Sequence, residues 1–434
     1  FIDISESINS FNIGIYPNQI KDKENAAEIL APLLKIDKSL IYESINKNKN
    51  YFYLKRNVDF DVGTKIKNWN YEGINVEKST KRIIYSDSLK KIVGHVDPDG
   101  NGIEGLELYF DNSLKGKDGE LRYEAAPNGD FIPQGKSNII DPIHGQDLIL
   151  TIDSELQYIS ENLCLDALNE TEAFKCSVVF VNSENGEIII SAEKSNINNK
   201  YFNINLISGR ALYEPGSALK IFTVGSLLDN GLVSENDTYY VEDKIEIIED
   251  SCQELYEGLK GCFRDFLKHE PYQLTVKEII ERSSNVGTIR ATEVSSVTEI
   301  ERYLMKFGFS EKTGVQLTGE AKGGFIDYKN CLTCLSSLSI GYSAQVSQYQ
   351  MVRAYSIIAN GGNDVKLTLV QKEKLENEKN EVISPEIADR LKSLLINVVE
   401  GENGTGKSLR KEGYIIGGKT GTSRTHIEGV GYSE

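Results

Sequence analysis

Apolar positions recur along this chain in two rhythms. In NAAEILAPLLKI (25–36) the alanines and leucines fall at helical spacing, whereas YFYLKRNVDF (51–60) and KRIIYS (81–86) are short β-rich runs that read as strands. From residue 148 the pattern sharpens. Leu148-Ile-Leu-Thr-Ile152 predicts a strand, and Asp153 or Ser154 can cap a helix through LQYISENLCLDALNE. SVVFVN, a Ser-Glu-Asn-Gly turn and EIIISAE then form a hairpin. Strands flanked by helices predict an α+β domain on an antiparallel sheet over 146–434, with a mixed α/β module over 1–145.

The composition is that of a globular protein, and 434 residues suit two or three domains. A net charge of −17 disfavours nucleic acid or an anionic membrane surface as the main partner. No run approaches the roughly 18 to 20 apolar residues that span a bilayer, and no basic-then-apolar leader opens at Phe1. The chain therefore reads as soluble and acidic: either a cytosolic protein, or one that begins after its anchor.

Three local patterns need weighing. Cys252 and Cys262 bracket a polar loop that a disulfide could close, while Cys331 and Cys334, with no histidine nearby to complete a zinc site, are expected as plain thiols. Asp97-Pro-Asp-Gly-Asn-Gly102 begins like a calcium loop but offers Leu108 where a glutamate is needed, so a turn is expected. Gly401-Glu-Asn-Gly-Thr-Gly-Lys-Ser408 fits the phosphate-loop pattern, with Leu394–Val399 before it as the expected strand. Only SLRKE separates its end from Gly413, too little for the helix that such a loop must feed, so it is expected to be a glycine-rich connection.

Candidate chemistry lies in three separated segments. Glu214-Pro-Gly-Ser-Ala-Leu-Lys220 opens the apolar helical run SALKIFTVGSLL, placing Ser217 and Lys220 one turn apart on one face. A buried lysine of depressed pKa can take the serine proton, and a helix N-terminus favours an oxyanion beside it. Ser283-Ser-Asn285 offers a hydroxyl that can relay a proton and an amide that can hold a peptide. Tyr414-Ile-Ile-Gly-Gly-Lys-Thr-Gly-Thr422 reads as a strand that admits a substrate backbone at its glycines, with Lys419 as charge for a carboxylate. Lys312-Thr-Gly314 is a weaker rival, having no apolar strand before it.

In this order the three segments form the active-serine set S-x-x-K, S-x-N and K-T-G. With YEPGSALK, SSNVG, FGFSEKTGVQLTGEAKGG, IGYSAQVSQYQMVRAYSIIANGG and GGKTGT, the chain resembles the class B penicillin-binding proteins over nearly its whole length, and YEPGS with SSN resembles their division-septum branch. GIEGLELYFDNSLKGKDGE resembles the family's non-catalytic pedestal. The resemblance implies a serine-transpeptidase fold and peptidoglycan D,D-transpeptidation without metal or organic cofactor. Ser217 is then the nucleophile, Lys220 the base and Ser283 the proton relay. Asn285, Lys419, Thr420, Gly421 and Thr422 bind the stem peptide, with the oxyanion between the N–H groups of Ser217 and Thr422. It also implies β-lactams as inhibitors, divisome membrane proteins and a glycosyltransferase as partners, and a single-pass inner-membrane anchor with the catalytic domain on the periplasmic side. A β-lactamase or D,D-carboxypeptidase of the same fold and a mainly structural divisome role are the alternatives. A Ser-His-Asp hydrolase is poorly supported, with four histidines and no G-x-S-x-G. The family places two further strands and a helix after K-T-G, so the Lys419 strand is expected to lack its central partner and the chain to acylate poorly.

Overall fold

A computed structural model describes residues 2–124, 132, 137–197, 200–202, 207–253, 261–329, 331–371, 380–423, 426–427 and 431–432. The chain divides into two compact units, Phe1–Leu148 and Ile149–Glu434.

The first unit is built on β1 (Ser5–Ile15), the centre of an antiparallel sheet between β2 (Phe52–Asp59) and β3 (Ile74–Ile84). Two helices, α1 (Lys23–Leu34) and α2 (Lys38–Lys47), supply the apolar faces that cover it. Phe11, Ile13 and Ile15 of β1 are buried with Leu30, Leu34, Ile41 and Ile45, so one continuous core holds the unit together. The strands and helix expected here are present. Asp97 closes a turn of its own: its Oδ1 accepts from the N–H groups of Asp99 and Asn101 at 2.8 and 2.9 Å.

The second unit opens with α3 (Ser154–Thr171), where the Asp153 carboxylate accepts from Glu155 N and Leu156 N at 3.0 Å. Next comes the expected hairpin, β4 (Lys175–Val181) and β5 (Ile188–Ile197), extended by β6 (Lys200–Phe202) into the sheet order β4-β5-β6. Gln157 of α3 clamps β5, accepting from Ser191 N at 2.9 Å and donating to Ser191 O at 3.0 Å. Leu148–Ile152 is not the strand its pattern suggests. It makes one β-bridge, Leu150 to Val370, flanked by hydrogen bonds from Thr151 N to Leu369 O and from Gln371 N to Ile149 O.

Behind the sheet lies a helical core. A 3₁₀ turn, Gly216–Leu219, runs straight into α4 (Lys220–Asp229), whose residues 220–228 are all buried. A helix without a polar face belongs inside a domain. Phe222 sits edge-on to Phe307, Phe309 and Tyr355, with centroids 5.0, 5.4 and 5.3 Å away. Three of the other helices in this half border the site: α5 (Val276–Arg282), α6 (Asn285–Thr292) and α7 (Pro385–Glu400).

Helix α7 overturns the expected strand at Leu394–Val399. Extended back to Ile387, the buried positions Ile387, Leu391, Leu394, Leu395 and Val398 follow a helical period, and Ser384 with Pro385 starts the helix. The cysteines also correct the reading. Cys331 and Cys334 are disulfide-bonded rather than thiols, Cys252 and Cys262 are bridged, and Cys164 of α3 is bonded to Cys176 of β4. The interior of the Cys252–Cys262 loop, 254–260, lies outside the described residues. Tyr414–Thr422, expected as a strand, pairs with no strand among the described residues; Gly418 N instead donates to Leu395 O of α7 at 3.1 Å. A strand needs a neighbour to take up its backbone groups, and none of the described strands lies beside this segment.

Candidate active site

Ser217 stands in the 3₁₀ turn before α4, half-buried. The approach to it is pinned by backbone pairing. Tyr213 and Val346 exchange hydrogen bonds at 3.0 Å, Glu214 Oε1 accepts from Ser343 N at 2.8 Å, and Gly216 N donates to Gly341 O at 3.0 Å. Gly216 has a φ of 54°, and a Cβ there would lie 2.4 Å from the carbonyl oxygen of Thr422. Only glycine fits this position, and it lets the K-T-G-T segment press onto the turn that carries Ser217. Gly421 completes the contact: its Cβ position is 3.2 Å from Pro215 O and 3.3 Å from Ala218 Cβ. Two of the three segments are thus in backbone contact.

The third joins through two lysines. Lys220, fully buried at the start of α4, donates to the carbonyl of Ser283 at 2.6 Å. Lys419 donates to the hydroxyl of the same residue at 2.7 Å and to Thr420 O at 2.9 Å. Ser283 ends α5 in the left-handed region, φ 60° and ψ 35°, an unusual conformation for a residue with a side chain. That twist presents its carbonyl to one lysine and its hydroxyl to the other.

Burial and the neighbouring Lys419 charge hold the Lys220 pKa well below the usual lysine value, while Asp265 acts in the opposite sense. Desolvation brings Lys419 down to about 8. Burial disfavours an ammonium ion, so the inner lysine is set up to be neutral and able to take a proton. The outer one keeps its charge at neutral pH.

Asn285 opens α6, with its Nδ2 donating to Arg264 O at 2.6 Å. Thr420 Oγ1 is 2.8 Å from Thr405 Oγ1. Lys220, Ser283, Lys419 and Thr420 are therefore linked by hydrogen bonds, with Gly421 and Thr422 packed beside Ser217. The Ser217 hydroxyl itself makes no hydrogen bond to Lys220 or Ser283 among the described residues; the Lys220 amine donates to Ser283 O. Neither the N–H of Ser217 nor that of Thr422 is engaged among the described residues.

The glycine-rich loop 401–408 has a different task from the one its pattern imitates. Glu281, two residues before Ser283, accepts from Asn403 N at 2.7 Å and from Asn397 Nδ2 at 2.6 Å, and its carbonyl accepts from Thr405 N at 3.2 Å. Lys407 folds back onto Glu402 O at 2.9 Å. The loop braces Ser283 on one side and Thr420 on the other. Glu281, Thr405 and Asp265 escaped the sequence reading. The S-x-N pattern begins two positions after Glu281, and no local signal marks the other two.

Buried lysines set around S-x-x-K, S-x-N and K-T-G segments are the arrangement of the penicillin-binding class. The chain belongs to that family: residues 176–433 match the penicillin-binding protein transpeptidase domain, and residues 4–150 match the penicillin-binding protein dimerisation domain. Among curated relatives, it is 29% identical to penicillin-binding protein PbpB of Mycolicibacterium smegmatis over 92% of this chain and 64% of that protein. It is 28% identical to peptidoglycan D,D-transpeptidase FtsI of Buchnera aphidicola over 98% of this chain and 72% of that protein. Stage V sporulation protein D of Bacillus subtilis is 26% identical, over 96% of this chain and 66% of that protein. The chain thus spans about two thirds of the length of these relatives. A solved penicillin-binding protein 3 from Mycobacterium tuberculosis complexed with ampicillin is 26% identical, with a TM-score of 0.69 over 82% of this chain and 78% of that one.

Proposed function

We propose that this chain carries the acyl-transfer site of a peptidoglycan D,D-transpeptidase. Neutral Lys220 takes the Ser217 proton as the serine oxygen attacks the penultimate D-Ala carbonyl. The oxyanion forms between the free N–H groups of Ser217 and Thr422, where fixed dipoles meet developing charge. Ser283 relays a proton to the departing D-Ala amine as the C–N bond breaks, leaving the peptide esterified on Ser217. Asn285 holds the donor peptide amide, and Lys419 with Thr420 and Thr422 binds the terminal carboxylate. An amine of a neighbouring strand then displaces Ser217 and completes the crosslink.

The observation that supports this most is the convergence of two lysines on one serine, with burial disfavouring charge on both of them. β-Lactams present the same carboxylate and an acylating carbonyl, so they are expected ligands. Relatives named FtsI and stage V sporulation protein D support a septal or sporulation-type wall-building role. Divisome membrane proteins, a partner glycosyltransferase and a membrane-anchored, periplasm-facing location complete the proposal.

Mass spectrometry after penicillin treatment tests it, with the mass rather than the rate of the adduct as readout. An adduct of one penicillin, lost in Ser217→Ala, is the expected result; an adduct that survives in Ser217→Ala sinks the assignment. Rapid turnover of that adduct would instead mark a β-lactamase.

A further inference from the structure

A buried carboxylate beside the site has no part in the reaction just described. Asp265 follows the short strand Cys262–Arg264, and its side chain is 8% exposed. Its Oδ1 accepts from the backbone N–H groups of Asn285 and Val286, the first two of α6. Its Oδ2 accepts from the Ser284 hydroxyl at 2.8 Å and lies 3.1 Å from His269 Nε2. Ser284 in turn caps α6, accepting from Gly287 N at 2.8 Å. The residue before Asp265 supplies the carbonyl that holds the Asn285 amide. Residues 264 and 265 therefore fix both ends of Asn285 and the segment after Ser283.

An anion at a helix N-terminus that takes several N–H bonds is held firmly, because dipole and hydrogen bonds act together. The same charge acts on Lys220 in the sense opposite to that of Lys419. Around Asp265 itself stand His269, stacked on Tyr272 at 4.3 Å, and Arg282, placed 5.4 Å over the Tyr272 ring.

We infer that Asp265 is a positioning residue for the acylation step: it orients the Ser283–Asn285 turn, whose Ser283 carbonyl holds Lys220, and sets a negative charge at that turn. This rests on the assignment of Lys220 as base. Without the opposing charge, Lys220 would deprotonate at lower pH but pull less strongly on the serine proton. A general base works best with a pKa near the working pH, so both changes matter.

The test is the pH profile of penicillin acylation in Asp265→Asn, with thermal unfolding measured alongside. The acid limb should move down by about one pH unit, the effect of losing one nearby opposite charge, and the plateau rate should fall about tenfold. A purely structural role would lower the rate equally at every pH and leave the limb in place, and that result overturns the inference. Should Asp265→Asn show no cooperative unfolding, Asp265→Glu decides. With the charge kept, the limb should stay at the wild-type pH while the rate falls, and a displaced limb counts against the inference. Titration of the Lys220 13Cε signal, assigned by its loss in Lys220→Met, needs no acylation. A lower midpoint in Asp265→Asn supports the inference and an unmoved one overturns it, even should wild-type protein form no adduct on Ser217 and the reading of the site itself fail.

Discussion

The ammonium of Lys419 donates to the hydroxyl of Ser283 across 2.7 Å, joining the K-T-G segment to the S-x-N segment by a single side-chain contact. On the proposed mechanism its charge state bears on both carboxylate binding and the orientation of the Ser283 hydroxyl.

From this follows a two-sided pH dependence. The proposed mechanism requires Lys220 neutral and Lys419 charged. The rate at low penicillin concentration should rise with pH as Lys220 loses its proton, then decline as pH passes about 8, where Lys419 loses its own. In Lys419→Arg the alkaline decline should vanish, because guanidinium stays charged, although the rate falls through altered geometry. An alkaline limb that persists unchanged in that variant would assign it to another group.

Ser283 combines a left-handed backbone with a functional hydroxyl. Ser283→Gly should leave the fold at least as stable as wild type, since glycine carries no Cβ penalty of roughly 1 kcal/mol in this conformation. Ser283→Ala keeps the penalty. Acylation should drop about a hundredfold in both, as for loss of a proton relay. Denaturant melts paired with stopped-flow labelling separate the two effects, and an active Ser283→Gly protein would exclude the relay.

Lys220 costs stability where it serves the site. Its folded-state pKa lies below the ordinary 10.5, so between the two values the unfolded chain binds a proton that the folded one excludes. Stability from this group therefore falls as pH drops through that window. Lys220→Met should remove the slope, raise stability at neutral pH by about 1 kcal/mol, and abolish adduct formation. Melting curves at several pH values check it; a variant less stable at every pH contradicts it.

Reduction offers a further measurement. The Cys164–Cys176 bridge closes a loop of 12 residues between α3 and β4. Chain-entropy arguments give about 3 kcal/mol for a loop of this size. Cys164→Ser with Cys176→Ser should lower the unfolding temperature by several degrees without altering the acylation pH profile. An unchanged melting temperature would show the bridge to be dispensable.

The triplet was legible because each member carries a local sign: Pro-Gly before an apolar helix for Ser217, a helix end for Ser283, glycines for Lys419. The hairpin and the Asp153 cap were legible for the same reason. Five apolar residues within 394–399 could not distinguish strand from helix until the period was followed back to Ile387. Asp265 and Thr405 were hidden, because what they do depends on partners that are distant in sequence: Asp265 meets Asn285, and Thr405 meets Thr420. Spacing along a chain cannot report such meetings. The disulfide at Cys331 and Cys334 was missed because composition speaks for a compartment only weakly.

If the chain is the β-lactam target proposed above, the glycine-rich loop has a bearing on antibiotic escape. It touches Glu281 on one flank and Thr420 on the other, so a change at Asn403 or Thr405 alters the alignment of two binding segments from behind. Thr405→Val, which deletes the hydroxyl facing Thr420, is a site where susceptibility to drugs could drift while the nucleophile stays untouched. Surveillance confined to the walls of the cleft would overlook it.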